Sequence, residues 1–340
     1  MVEKMEEKIK KLTATSKIYS EDLNKVKDEI CKIIIGQEEL IDNILIAIIA
    51  SGHILIEGVP GLAKTELVKT IARVLDCKPC RLQFTPDMLP MDIMCSIKKN
   101  KKGEPELSHG PLIGMNFIHI DEINRAPPKV QSALIEPMEE PQLTFNGKPE
   151  DLEDVFIIIA TQNHIETGGT FELPEALLDR FMFKLIIDYP SPENELKILD
   201  IQRRKNHLKA EKNIINNKKL EEIQSHCNDI FVSEKIKKYI IDIIRKTRSH
   251  KEKLKEPNED NDSEEELVKL GASTRASMAL RDAAKGRALL DGRGYVTPAD
   301  IKSVAKDILR HRILLIYPGM ETDKKVDEII TKILSVVKIP

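Results

Sequence analysis

Short apolar runs alternate with stretches of helical periodicity along the first half of the chain. The apolar runs at 53–57, 117–120 and 155–160 predict strands buried on both faces, because a half-exposed strand would alternate apolar and polar residues. Apolar positions at helical spacing over about 38–51 and 64–75 predict helices before and between these strands. This alternation is typical of a parallel sheet covered by helices, so the sequence predicts an α/β core.

The pattern changes at the Pro-Ser-Pro sequence of residues 190–192, which marks a domain boundary. Beyond it, apolar positions follow a helical period almost to the end, which predicts a small all-helical domain over 191–340. A polar insertion at 251–266 interrupts this domain. Ahead of the predicted α/β core at 33–190, residues 1–32 alternate Lys and Glu around a weak apolar stripe and predict an N-terminal helical region.

Two segments of the core do not follow the alternation of strands and helices. Residues 85–115 are rich in Pro and Gly and hold short hairpin-like pieces, and residues 140–154 contain an Asn-Gly pair that favours a tight hairpin. A helix predicted over about 128–140 contains Pro137, which has no backbone N–H and is expected to kink or shorten it. The core is therefore expected to carry two inserts.

The composition is that of an ordinary globular protein and disfavours a role on nucleic acid. Of 340 residues, 41% are hydrophobic and 32% charged, and the net charge of −3 predicts no strongly basic surface. Aromatic residues make up only 4%, which leaves few platforms for stacking single-stranded bases. The basic tip at 98–102 is the one feature in favour of nucleic acid, but such a tip is more often the solvated end of a hairpin.

No sequence feature predicts secretion or a membrane span. The N-terminus is charged, and the longest apolar stretch, at 41–56, is interrupted and too short to cross a bilayer. Five scattered cysteines argue against a disulfide framework and indicate a reducing compartment, so a cytoplasmic location is predicted. Cys77 and Cys80 form a lone C-x-x-C pair, for which an incidental role is favoured over redox or metal chemistry.

A glycine-bearing loop between the first strand and the following helix predicts a phosphate-binding site. The loop and the first helical turn comprise Gly58, Val59, Pro60, Gly61, Leu62, Ala63, Lys64, Thr65 and Glu66. The glycines allow backbone N–H groups to point inward around a phosphate at the positive end of a helix dipole. Lys64 can reach the β- and γ-phosphates, and Thr65 offers a hydroxyl to Mg²⁺. Ala63 stands where the usual pattern has Gly.

Polar residues follow the next two buried strands and are expected at the same edge of the sheet. Asp121 is placed to hold Mg²⁺ opposite Thr65, and Glu122 is placed to polarise the water that attacks the γ-phosphate. Asn163 follows the strand at 155–160 and is placed to orient that water.

Two arginines outside these strands are further candidates. Arg180 ends a short predicted helix, where it either pairs with Asp179 or Glu175 or acts as an arginine finger on the transferring phosphoryl group. Arg275 begins a helix of the second domain, from which it is expected to reach back to the phosphates and report nucleotide state.

Taken together, these segments resemble the MoxR-type AAA+ ATPases, over about residues 33–315. The motifs that carry the resemblance are Gly58-Val-Pro-Gly-Leu-Ala-Lys-Thr65, in which the family also has Ala before Lys, Asp121-Glu-Ile-Asn-Arg-Ala-Pro-Pro-Lys129, Ala160-Thr-Gln-Asn163, Leu173-Pro-Glu-Ala176 with Leu178-Asp-Arg-Phe181, and Gly271-Ala-Ser273 with Arg275-Ala276.

The resemblance implies an ATP site with Mg²⁺ between an AAA+ core and a helical lid. By the same parallel, Lys64 and Thr65 belong to Walker A, Asp121 and Glu122 to Walker B, and Gly36-Gln37 to the segment beside the adenine.

The family parallel also implies an oligomer, usually a hexameric ring. Asn163 matches sensor 1, Arg275 matches sensor 2, and Arg180 matches the finger that acts on a neighbour's nucleotide. The inserts match those that this clade places near a central pore, and proteins with von Willebrand A domains are the implied partner class.

Three residues depart from the family pattern without removing a catalytic group. They are His119 in the Walker B strand, Pro137 in the following helix, and His164 after the sensor asparagine. These departures bear on pore-loop geometry and turnover rate more than on ATP binding.

The sequence thus predicts an ATPase that couples hydrolysis to chaperone-like remodelling, maturation or activation of partner proteins. Two alternatives stay open. A nucleotide-driven motor on nucleic acid would show salt-sensitive stimulation of ATPase activity by DNA. A scaffold that uses ATP only to assemble would keep its turnover unchanged on replacement of Glu122 by Gln.

Overall fold

The computed structural model describes residues 2–59, 61–99, 105–145, 147–163, 169–203, 210–248, 268–316 and 322–340. Several features singled out in the sequence lie outside these ranges, namely Pro60, His164, residues 100–102 of the basic tip and the polar insertion 251–266.

Helices dominate the described chain, especially its second half. They are α1 (Val2–Cys31), α2 (Glu38–Ile49), α3 (Lys64–Val74), α4 (Met91–Met94), α5 (Pro128–Ser132), α6 (Ile135–Glu139), α7 (Glu175–Leu178), α8 (Pro192–Arg203), α9 (Asn217–Asp229), α10 (Glu234–Arg248), α11 (Thr274–Leu290), α12 (Pro298–Leu309) and α13 (Thr322–Val336). Single 3₁₀ turns occupy Ile123–Arg125 and Arg310–Arg312. Within the ranges described, no helix combines the length and apolar character needed to cross a bilayer.

The strands are mostly short and lie in the first half of the chain. They are β1 (His53–Gly58), β2 (Pro79–Gln83), β3 (Cys95–Lys99), β4 (Pro105–His109), β5 (Phe117–Asp121), β6 (Gln142–Phe145), β7 (Lys148–Asp151), β8 (Ile157–Gln162), β9 (Phe181–Ile187), β10 (Val268–Leu270) and β11 (Leu314–Leu315).

Five of these strands form one parallel sheet in the order β2-β5-β8-β1-β9. Its central strands are the apolar runs of the sequence, and every residue of β1 and β5 is buried. Apolar clusters cover both faces, since Ile54 and Ile56 belong to one core while their neighbour Leu55 belongs to the other. The predicted α/β fold with an all-parallel sheet and helical cover is confirmed.

The predicted inserts contain antiparallel hairpins. In the segment 85–115, α4 is followed by the β3–β4 pair, and in the segment 140–154 the β6–β7 pair turns through Gly147, whose φ is +74°. The single helix expected over 128–140 is two shorter ones, α5 and α6. Pro137 accounts for the break, because its ring clashes with the carbonyl four residues earlier and it has no N–H to donate there.

Residues 191–340, the second half of the chain, are built around α11. The helices α1, α2, α9, α10 and α12 pack against α11. Side chains cap several of these helices: Ser273 accepts from the Arg275 N–H, and Thr297 forms a reciprocal capping box with Asp300. The small β10–β11 pair is a departure from the purely helical prediction. The N-terminal helix α1 lies on this half of the chain, where Ser20 Oγ donates to the Leu290 carbonyl at 2.6 Å.

The second half is docked on the edge strand β9 by three consecutive buried side chains. Arg310 donates to the Lys184 carbonyl at 2.8 Å, and Arg312 donates to the Phe181 carbonyl at 2.6 Å. His311 Nε2 lies 2.9 Å from the same Phe181 oxygen. These contacts satisfy strand carbonyls that would otherwise be exposed at the sheet edge.

The C-x-x-C pair carries unreactive thiols. Burial raises the pKa of Cys77 to about 12 and also raises the pKa of Cys80. Both thiols are therefore protonated near neutral pH, whereas redox and metal chemistry both use the thiolate.

His53, at the start of β1, joins the sheet to α6. Its Nδ1 accepts from the Ile158 N–H at 3.1 Å, and its Nε2 lies 3.2 Å from the Met138 carbonyl. Burial lowers the pKa of His53 to about 4, so the folded protein holds the neutral ring.

We expect the free energy of unfolding to fall as pH decreases from 6.5 toward 4. His53 takes up a proton near pH 6.5 in the unfolded chain but only near pH 4 in the folded protein. Its contribution to the free energy of unfolding is therefore complete above pH 6.5 and is lost as the pH falls from 6.5 to 4. The slope for one such group is roughly 1.4 kcal/mol per pH unit. His311, whose pKa burial also lowers, adds to the fall. Urea unfolding at several pH values measures the slope, which should be shallower in His53→Gln; equal slopes would contradict this assignment.

Candidate nucleotide-binding site

The loop between β1 and α3 has a backbone that few residues tolerate. A Cβ on Gly58 would lie 2.8 Å from the Ile187 carbonyl oxygen, so only Gly fits beside β9. Gly61 has φ +88°, and Ala63 has φ +54° directly before α3. Ala63 thus occupies the left-handed region at a strain of about 1 kcal/mol, in a position where Gly would be unstrained.

Lys64 begins α3 and lies between the ends of two paired strands. Its Nζ donates to the Gly58 carbonyl of β1 and, at 3.2 Å, to the Gln162 carbonyl of β8. The ammonium group is therefore held at the carboxyl edge of the sheet.

A cleft of about 1480 Å³ opens at this edge. The loop, the start of α3 and the strand ends line one part of it with Gly61, Leu62, Ala63, Lys64, Thr65, Glu66, Asp121, Glu122 and Asn163, most of whose side chains are polar or charged. Its apolar wall includes Ile33, Ile34, Ile35, Tyr189, Ile198 and Leu199, and Gln37 lies beside them. A polar end beside an apolar end suits a molecule with a phosphate chain and an aromatic base.

Gly36 and Val59 flank the cleft without lining it. A Cβ on Gly36 would lie 2.2 Å from Asn194 Nδ2, so this glycine allows the segment before α2 to approach α8 closely. The adjacent Gln37 donates from Nε2 to the Asp188 carbonyl at 3.4 Å.

Asp121, the last residue of β5, is buried, and both of its carboxylate oxygens have partners. Arg81 contacts Oδ2 through Nε at 2.7 Å and through its terminal nitrogen at 2.6 Å. On the other oxygen, Oδ1, His119 Nε2 lies 3.0 Å away and Thr161 Oγ1 donates at 3.3 Å. Burial by itself would raise the pKa of Asp121, but its contacts with His119 and Arg81 outweigh it and hold the pKa well below its usual range.

Glu122 is turned toward two neighbours. It has φ +56°, and its backbone N–H donates to Thr161 Oγ1 at 3.2 Å. Gln83 donates to Oε2 at 2.8 Å, and Arg125 Nε lies 2.9 Å from the same oxygen. The carboxylate is thus a partly exposed, paired anion at the rim of the cleft.

Asn163 directly follows β8 and is buried at the cleft wall. Its backbone carbonyl accepts from Asn124 Nδ2 at 3.3 Å, which links the ends of β5 and β8. The structure therefore brings Lys64, Asp121 and Asn163 to one edge, because they follow or end adjacent parallel strands.

The donors at this edge suit Mg²⁺. Thr65 offers a hydroxyl and Asp121 a carboxylate, and Mg²⁺ prefers oxygen ligands while retaining several waters and substrate phosphate oxygens. Among the described residues, no group of three or more His, Cys, Asp and Glu side chains is arranged as a metal cage. A magnesium ion held by one or two protein oxygens together with phosphates is consistent with both observations.

Arg180 and Arg275 lie away from the cleft. Both donate to the carboxylate of Glu139 at the end of α6, and Arg275 also lies 3.8 Å from Asp179. Arg180 directly precedes β9, whose first residue pairs with the first residue of β1. It therefore lies at the amino edge of the sheet, about 20 Å from the carboxyl edge across a strand of this length.

The position of Arg275 differs from the sequence-based expectation. Neither arginine is among the described residues that line the cleft, so Arg275 does not reach the phosphate loop of its own chain in this conformation. The cause is the docking of the second half on β9, which places the start of α11 near Asp179, where Ser273 Oγ donates at 3.0 Å.

Sequence reasoning missed the side chains of β2 and the hydroxyl of Thr161. Arg81 and Gln83 are spaced two apart and share one face of β2, beside the end of β5. The spacing of these two polar residues could have indicated that both side chains lie on the same face of a strand. The strand beside which β2 lies, however, cannot be read from its five residues.

Comparisons with known proteins agree with this architecture. The family model described as the ATPase family associated with various cellular activities matches residues 53–183, and the AAA lid domain model matches residues 261–333. The chain is 38% identical over 327 residues to the uncharacterized protein YeaC of Bacillus subtilis, covering 95% of this chain and 97% of that protein.

It is also 38% identical over 313 residues to the chaperone MoxR1 of Mycobacterium tuberculosis, covering 92% of this chain and 81% of that protein. The crystal structure of a Cytophaga hutchinsonii protein, 39% identical, matches with a TM-score of 0.83 over 100% of this chain and 99% of that one. Since identities of this size extend over nearly the whole chain, the chain belongs to the MoxR family of AAA+ ATPases.

Proposed function

We propose that this protein is a Mg²⁺-dependent ATPase whose active site is completed by a neighbouring subunit, and that hydrolysis drives chaperone-like remodelling of partner proteins. The observation that carries the proposal is the separation of its charged groups. Lys64 and the acidic pair lie at the carboxyl edge of the sheet, while Arg180 and Arg275 lie at the amino edge.

At the carboxyl edge, Lys64 leaves the strand-end carbonyls to contact the β- and γ-phosphates, and the loop N–H groups surround them. Thr65 and Asp121 would hold a magnesium ion, which when bound would supply Lewis-acid stabilisation of the phosphate charge. The apolar wall around Ile34 and Leu199 receives the base, beside Gly36 and Gln37.

Glu122 is the proposed general base, with Asn163 orienting the attacking water. In the present conformation Glu122 is bonded to Gln83 and Arg125. A base must lie within hydrogen-bond reach of the proton that it accepts, so catalysis requires Glu122 to leave Gln83.

Arg180 is the proposed arginine finger of the adjacent subunit. An arginine side chain cannot cross a sheet about 20 Å deep to reach its own phosphate loop, so it can act only on another chain's nucleotide. Arg275 shares the same carboxylate, Glu139, and we assign it to the same intersubunit face.

A repeated contact between one face and a different face of the next subunit forms a ring when the rotation between subunits closes, and a closed ring of six subunits is proposed here. Residues 33–190 form the nucleotide-binding core of each subunit and residues 191–340 the lid, with a cytoplasmic location. The similarity to a relative named as a chaperone supports protein clients, and von Willebrand A-domain proteins are the proposed client class.

The direct test compares two lysines of the same helix that both line the cleft. Lys64→Ala should weaken ATP binding by roughly tenfold to a hundredfold, the value of a hydrogen bond between charged groups. Lys69→Ala, the matched control, should change it little. Titration with a fluorescent ATP analogue measures both, and equal affinities in the two variants would contradict the assigned phosphate site.

A further inference from the structure

The two carboxylate oxygens of Asp121 have different kinds of partner. Oδ1 faces inward to His119 and Thr161, which are themselves buried. Oδ2 is bonded twice by Arg81, whose side chain is 53% exposed while that of Asp121 is 9% exposed. The inward partners are therefore fixed by packing, whereas the guanidinium stands at the solvent-facing side.

Arg81 reaches this position from the edge strand of the sheet. In the parallel pair of β2 and β5, Arg81 lies opposite His119 and Gln83 lies opposite Asp121. Arg81 also donates to Gln83 Oε1 at 3.3 Å, and Gln83 in turn donates to Glu122. A continuous polar chain on β2 thus links the two acids of the cleft.

We propose that Arg81 is a positioning residue that serves as the resident counter-ion of Asp121 and competes with a divalent cation for Oδ2. The proposal rests on the proposed function, in which Asp121 holds Mg²⁺. A buried carboxylate without a counter-charge is costly, so Asp121 needs a neighbouring cation whenever no metal is bound, and Arg81 supplies it from within the chain.

The competition has a functional consequence. A divalent cation alone must displace two charge-assisted hydrogen bonds and approach a fixed positive charge, with only Thr65 and Asp121 to offer as protein ligands. A cation that arrives with phosphate brings additional oxygen ligands and a negative charge that can receive the displaced guanidinium. Binding of metal and nucleotide together is therefore favoured over binding of the metal alone, and the nucleotide-free subunit binds metal weakly.

The test is a titration of nucleotide-free protein with Mn²⁺ alone, following the loss of free Mn²⁺ signal by electron paramagnetic resonance. Arg81→Gln should bind Mn²⁺ at least about fivefold more tightly than the wild type, because one repelling charge near the metal is gone. Arg81→Lys, which keeps the charge, should bring the affinity back toward the wild-type value.

Arg125→Gln is the matched control, since it removes a guanidinium that pairs with Glu122 rather than Asp121. It should raise Mn²⁺ affinity less than Arg81→Gln does. Equal Mn²⁺ affinities in wild type and Arg81→Gln, or an equal gain in Arg125→Gln, would overturn the role of Arg81.

A second titration, with Mn²⁺ and ATP together, separates this proposal from the one on which it rests. Because ATP itself chelates Mn²⁺, binding is measured here as the Mn²⁺ that stays with the protein on rapid gel filtration. Much tighter binding of Mn²⁺ by wild type with ATP than without it supports the joint entry of metal and nucleotide. Failure of every variant to bind Mn²⁺ even with ATP would instead overturn the metal role of Asp121 itself.

Discussion

Glu122→Gln should abolish ATP turnover while leaving ATP bound. The amide keeps the size and the hydrogen-bonding reach of the side chain to Gln83 but cannot accept a proton from the attacking water. General-base catalysis of this kind contributes roughly a hundredfold to ten-thousandfold, so turnover should fall by that factor. Phosphate release measures the rate, and titration with a fluorescent ATP analogue measures the affinity, which should change little.

Glu195→Gln provides the matched control, because Glu195 is an exposed carboxylate of α8 that lines the same cleft away from the strand ends. It should retain nearly full activity. Unchanged turnover in Glu122→Gln would disprove the assigned base and favour a scaffold that uses ATP only to assemble. The ATP-trapped form is also the reagent with which clients, including von Willebrand A-domain proteins, can be captured.

Mixing Arg180→Ala subunits with Lys64→Ala subunits should restore ATPase activity that neither variant has alone. Loss of an arginine finger costs roughly a thousandfold or more in turnover. In a mixed ring, an interface is complete where an intact Lys64 faces an intact Arg180, which random mixing produces at about one interface in four. We expect this outcome because Arg180 lies at the sheet edge opposite its own phosphate loop, out of reach of the nucleotide that its own chain would bind.

The control replaces the Lys64→Ala partner with a subunit that carries both substitutions. This mixture contains no intact Arg180, so it should stay inactive at every ratio. Absence of recovery in the first mixture, in rings shown by mass spectrometry to contain both chains, would rule out action across the interface.

The nucleotide cleft was largely predictable because its groups are local in the sequence. Gly58 to Thr65 form one continuous loop, and Asp121 and Asn163 each adjoin the end of an apolar run. In a parallel sheet the carboxyl ends share an edge, so the sequence pattern alone implied that these residues meet. The break at Pro137 was predictable for the same reason, since its cause is a missing N–H within one helix.

The partners of the acids were not predictable, because they depend on strand order. Nothing in the five residues of β2 specifies that it is an edge strand beside β5, and this adjacency brings Arg81 to Asp121 and Gln83 to Glu122. The location of Arg275 in this conformation was not predictable for a related reason. It depends on how Arg310 and Arg312 dock the helical half on β9, through contacts that span more than 100 residues of sequence.

The sequence by itself determined the α/β core, the phosphate loop and the acidic pair, because periodicity and short motifs are local properties of the chain. Only the tertiary structure decided which charges act together. It placed Arg81 on Asp121 within one edge of the sheet, and it placed Arg180 with Arg275 on Glu139 at the other. The physical reason is the length of the strands: about 20 Å along the adjacent strands β1 and β9 separates the phosphate loop from Arg180 and Arg275, which is why we propose that a second subunit completes the site.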